Sequence, residues 1–153
     1  VILIGEMRTI ASIETALIAA ETGHLVLATL HTNSAADTID RIVDVFPSEQ
    51  QTQIRMQLSM CVQAVICQQL IPHISGRGRV LATEIMVSNG AIRNLIREGK
   101  TPQIQNTIAT SGNEGSQLMD SSIISLYRAR RISSDAAVRH AHDREFVKRT
   151  TSF

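Results

Sequence analysis

The chain has 153 residues, 43% of them apolar and 19% charged, enough for one domain with a core or for two small subdomains. Its 15 basic and 14 acidic side chains leave a net charge of +1, which gives no reason to expect a nucleic-acid or membrane-surface binder. No run approaches the ~20 apolar residues of a membrane span, and no signal peptide is legible.

The opening Val1-Ile-Leu-Ile4 is an apolar, β-branched run that ends at Gly5-Glu6, the pattern of a strand buried on both faces. It starts without an initiator Met and reads as the middle of a longer protein. In the next segment Ile10, Ile13, Leu17 and Ala20 recur at helical spacing, and Gly23 suits a helix stop. His24 to His31 reads as a second buried strand, so strand, helix and strand make a βαβ unit. Ser34 with Asp37 caps a helix whose buried face is Ile39, Ile42, Val43 and Phe46. After Pro47, Ser48 with Gln51 can cap another helix, carrying Ile54, Leu58, Cys61 and Val62.

Val65 to Ile71 and Arg79 to Val87 read as two strands joined by the turn Ser75-Gly-Arg-Gly78, a hairpin. From Asn89 the period becomes helical, with Ile92, Leu95 and Ile96 on one face and Gly99 as a stop. Thr101-Pro102 opens a short helix marked by Ile104 and Ile108. Gly112 to Gly115 is a loop, Leu118 to Arg131 a longer helix, and Ser133-Ser134-Asp135 starts a last short one. The tail from His140 is charged and expected to fray. The layout is α/β, with a core over residues 1–88, a helical subdomain over 89–142 and a charged tail over 143–153.

Two motifs are negative. Gly99-Lys100-Thr101 ends like a phosphate-binding P-loop, but the first glycine of G-x-x-x-x-G-K-[ST] should stand at position 94, which is Asn94, and the stretch follows a helix. Cys61 and Cys67 lack both zinc spacing and a disulfide framework, and read as buried free thiols. No direct metal ligand set is legible: His24 and His31 fall on opposite strand faces, and His140 and His142 point apart on a helix.

Ligands of parallel sheets bind beyond the carboxyl ends of the strands. The first strand delivers Gly5, Glu6, Met7 and Arg8 to that edge, and the second delivers His31 and Thr32. An acid ending an apolar strand is how a Walker B carboxylate holds the magnesium shell or orients the attacking water. His31 could then hydrogen-bond a terminal phosphate. The plainer readings are a loop carboxylate and a histidine that only caps the next helix. Arg93 and Arg97, four apart, share a face and suit an acidic partner or solvent.

Taken together, ILIGEMR (2–8), AAETGHLVLATLHTNSAADTIDRIVDVFP (19–47) and QLSMCVQAVICQQLIP (57–72) resemble the Walker B and His-box region of the type IV pilus and type II secretion ATPases. AIRNLIRE, the residues Ala91, Ile92, Arg93, Asn94, Leu95, Ile96, Arg97 and Glu98, resembles the motif of their retraction branch, the PilT family. Paired C-x-x-C motifs of the extension and secretion branches are missing.

The resemblance implies a partial RecA-like P-loop NTPase core followed by a C-terminal helical subdomain. It implies ATP hydrolysis with Mg2+, Glu6 activating water, His31 near the terminal phosphate, and Gly5, Arg8 and Thr32 in the nucleotide and Mg2+ region. A hexameric ring at the cytoplasmic face of a bacterial inner membrane is implied too. A platform protein would be its partner and AIRNLIRE its coupling motif, with Arg93, Arg97 and Glu98 turned outward. The P-loop and everything before Walker B would lie upstream of Val1, so the 153 residues alone are expected to show no ATPase activity. Two departures stand out. Thr9 replaces the acid usual after GEMR, and SGNEGSQLMD (111–120) replaces a glycine-rich stretch. The alternatives are a non-catalytic module that docks on ring subunits, or part of a secretion or extension ATPase.

Overall fold

The computed structural model describes residues 1–151. Strand β1 (Ile2–Ile4) lies parallel to β2 (Val26–Ala28), with Leu3 opposite Leu27. Between them runs α1 (Ile10–Glu21), where Thr9 and Ser12 form a reciprocal cap. The Ser12 amide donates to Thr9 Oγ1 at 3.3 Å and the Thr9 amide to Ser12 Oγ at 3.2 Å. Thr9 thus does locally what an acid at that position would do. Gly23, at φ +93°, turns the chain from α1 into β2.

Ser34 caps α2 (Ala35–Asp44) by accepting from the Asp37 amide, and Ile39, Ile42, Val43 and Phe46 are buried as their spacing predicts. Helix α3 (Ser48–Cys61) follows Pro47 without a side-chain cap, because Gln51 donates to the Phe46 carbonyl instead. Strands β3 (Ala64–Pro72) and β4 (Arg79–Val87) form a second two-stranded sheet, and Ile85 bridges antiparallel to Gln117. The six-residue connection makes the β3–β4 pair a hairpin. Helix α4 (Gly90–Arg97) is capped by Asn89, and a 3-10 turn at Thr101–Gln103 leads into α5 (Ile104–Thr110). Helices α6 (Met119–Arg128), α7 (Ser134–His140) and α8 (Arg144–Thr151) complete the chain.

Contacts gather these elements into two compact units. One comprises Val1–Val65 with Val87–Thr107, the other Ile66–Met86 with the residues from Ile108 onward. In the first, α3 packs on α1, α2 and α4; in the second, α6, α7 and α8 pack on one another.

The structure departs from the sequence reading elsewhere too. Strands β1 and β2 are three residues each and are not buried on both faces, since Leu3 is 73% and Leu27 50% exposed. His24 belongs to the preceding turn, its Nδ1 3.2 Å from the Ala19 carbonyl. The helix expected to reach Arg131 stops at Arg128, because Arg130 takes φ +56° and its amide turns back to the Tyr127 carbonyl. The tail is ordered helix to Thr151: Val147 and Thr151 are buried, and Asp120 accepts from the backbone amides of His142 and Asp143. The last two tail positions, 152 and 153, lie outside the described residues.

Candidate functional site

The parallel pairing brings the carboxyl ends of β1 and β2 together. The Met7 amide donates to the Thr29 carbonyl at 3.0 Å, and the Thr29 hydroxyl donates to the Gly5 carbonyl. Those two bonds carry the pairing past the strand ends and bring Glu6 next to His31. Glu6 Oε1 lies 2.6 Å from Arg8 Nε and 3.2 Å from His31 Nε2. Glu6 is only 26% exposed, whereas the His31 side chain is 82% exposed. The Arg8 hydrogen bond holds the Glu6 carboxyl below its ordinary range, against the opposing cost of burial, and the charges of Arg8 and His31 add to it. Glu6 in turn raises Arg8.

Glu6, Arg8 and His31 line a cavity of about 410 Å³ with Met7, Leu30, Arg41 and Val45. Gly5 and Thr32 are not among its walls. The Thr32 hydroxyl is 2.7 Å from that of Thr38, inside the cap of α2, and the Gly5 carbonyl is held by Thr29. Arg41, on the last turn of α2, was not picked out from sequence; a single arginine on a helix's polar side reads there as a solvated charge. Among the described residues no group of three His, Cys, Asp or Glu could hold a metal ion, and no helix is long and apolar enough to cross a membrane.

In the AIRNLIRE stretch, Ile92 and Ile96 are fully buried and Leu95 is half-buried. Arg93 does not turn outward. Its Nη1 donates to the carbonyls of Ser59 at 3.1 Å and Met60 at 2.7 Å, closing the C-terminal end of α3. Ala91, Asn94, Arg97 and Glu98 are exposed. Asn94 donates to Glu98, and Lys100 lies 2.7 Å from Glu98, so Lys100 first and Asn94 second keep the Glu98 carboxyl low. Gly99 at φ +69° stops α4 over the Arg55 side chain, and the Thr101 hydroxyl donates to Asp40 at 2.8 Å. Gly99-Lys100-Thr101 is therefore a helix stop and an anchor. It is not a phosphate cradle.

A family profile described as type II/IV secretion system protein matches residues 1–136. The chain belongs to the type II/IV secretion system protein family. It is 50% identical over 145 residues to the twitching motility protein of Neisseria gonorrhoeae, covering 95% of this chain and 39% of that protein. It is 57% identical over 120 residues to the type IV pilus retraction ATPase PilT of Pseudomonas aeruginosa, covering 78% of this chain and 35% of that one. The crystal structure of the pilus retraction motor PilT with bound ADP superimposes with a TM-score of 0.86 at 46% identity, over 97% of this chain and 41% of that one. The chain thus spans well under half the length of these secretion-family relatives. The α/β class, a partial RecA-like core followed by helices, agrees with that likeness.

Proposed function

We propose that these residues are the C-terminal portion of an ATP-hydrolysing motor that retracts type IV pili and so drives twitching motility. Residues 1–88 would be the end of its ATPase core and 89–142 its helical subdomain. The observation that carries the reading is the Glu6 carboxylate, set 3.2 Å from His31 at the joined ends of two parallel strands. Its surroundings belong to a chain 57% identical to a retraction ATPase.

A general base works best with its pKa near the working pH, and Glu6 is shifted the other way. The side chain therefore acts first as a fixed acceptor that orients the attacking water, and gains basicity only when Arg8 lets go. Both cationic contacts fall on Oε1, so Oε2 carries neither and is the oxygen for that water. His31, largely exposed, would meet a terminal phosphate oxygen.

A lone carboxylate fits Mg2+, which keeps several waters and takes few protein ligands; Glu6 would hold it through water. Bound there, the ion would supply neutralisation of the phosphate charge. ATP is the nucleotide of this reading, and ADP is bound in the PilT crystal structure. A hexameric ring, a membrane platform partner and residence at the cytoplasmic face of the inner membrane belong to the same proposal.

In the full-length protein, Glu6→Gln is expected to cut ATP turnover by ~10²–10⁴-fold while ADP affinity stays within a few-fold. Turnover equal to wild type would sink the assignment.

A further inference from the structure

We propose that Arg41 is the cavity's phosphate-engaging guanidinium, meeting the terminal phosphate of the nucleotide opposite Glu6. The proposal rests on the nucleotide reading above and adds to it a residue that α2 contributes.

Arg41 lines the same cavity as Glu6, Arg8 and His31. Helical side chains lean toward the N-terminus of their helix, and the N-terminus of α2 begins just after His31. Arg41, on the last turn of α2, and Val45, just past its end, both line the cavity, so the guanidinium stands in its wall. The cavity holds two guanidiniums, and the nearer one is spent: Arg8 is bound to Glu6 at 2.6 Å. None of the ion pairs among the described residues uses Arg41. Asp40 beside it is taken by Arg55 and Thr101. An anion arriving next to the Glu6 carboxylate needs a compensating cation, and a planar fork suits two phosphate oxygens at once.

A competing role is to offset the negative end of the α2 dipole, since Arg41 sits on the last turn. That role needs charge alone. Lysine would fill it as well as arginine does, whereas lysine cannot form the bidentate fork.

The test compares wild-type full-length protein with Arg41→Lys and Arg41→Ala, titrating ADP and a non-hydrolysable ATP analogue in the presence of Mg2+ and recording Tm. Arg41→Lys is expected to leave Tm unchanged, to keep ADP affinity within about threefold and to weaken the ATP analogue by about 10–100-fold, the span of a charged hydrogen bond. Arg41→Ala should weaken the analogue at least as much. Unchanged analogue affinity in Arg41→Lys overturns the proposal, as does an equal loss for ADP and analogue. Glu6→Gln runs alongside: full turnover in it fails the hydrolysis reading, while the binding comparison still decides Arg41.

Discussion

The Glu6 carboxylate is held low chiefly by the Arg8 hydrogen bond, and this sets a pH dependence of known sign. A depressed folded-state pKa means that the unfolded chain binds the proton more readily. The pair's contribution is complete above the ordinary carboxylate value of 4.5 and is lost as pH falls through the lower folded value. Carboxyl 13C shifts should show Glu6 titrating below 4.5 in the native chain and moving back toward it in Arg8→Ala. An unmoved titration in Arg8→Ala would contradict the cause assigned. Arg130 offers a second residue-scale prediction. It is the one non-glycine residue with positive φ among those described, and it closes the end of α6 where glycine costs nothing. Arg130→Gly should stabilise the chain by about 1 kcal/mol in urea unfolding, and a loss of stability would mean that its side chain holds more than the backbone suggests. At this scale the site was half legible. Glu6 and His31 followed from two strand ends and parallel pairing. Arg41, which lines the same cavity, did not, because nothing in the sequence of α2 tells which of its polar residues stands beside the strand ends.

Long-range side-chain contacts join the elements of the first unit. Arg93 ties α4 to the last carbonyls of α3, and Thr101 with Arg55 ties the 3-10 turn and α3 to Asp40 on α2. Thr101 is buried, and valine matches its shape, so Thr101→Val removes the hydroxyl that donates to the Asp40 carboxylate and should cost about 1.5–3 kcal/mol. The check is urea unfolding beside Lys100→Ala, an exposed neighbour expected to be near neutral. Most elements could be read in advance because their apolar period was clean: the α2 positions it marks are all buried, and so are two of the three in α4, with Leu95 half-buried. The misses have separate physical causes. Helix α8 buries only Val147 and Thr151 within a charged run, so its signal is two positions instead of a stripe. The β4 alternation was legible, yet it carries Glu84 inward with Val80, Ala82 and Met86. Glu84 is 1% exposed and 3.9 Å from His142, a pairing that joins positions far apart in the chain.

For the molecule as a whole, the exposed pair Leu3 and Leu27 is the largest departure from a closed α/β sheet. An open apolar strand face invites pairing with another chain. The 153-residue chain should self-associate on concentration, and Leu3→Lys with Leu27→Lys should reduce light scattering without lowering Tm, since neither side chain is buried. Persistent association in the double variant would place the sticky surface elsewhere. A last consequence concerns synthesis. The first unit needs Val87–Thr107 to be complete, and the second unit's residues 66–86 emerge before those arrive. A ribosome adding ~5–20 residues per second takes about 2–8 s from residue 65 to residue 107. During that interval α3 waits without α4, against which it packs in the finished unit. A slow codon placed between those two points would lengthen that exposure, and the same codon after residue 107 would not.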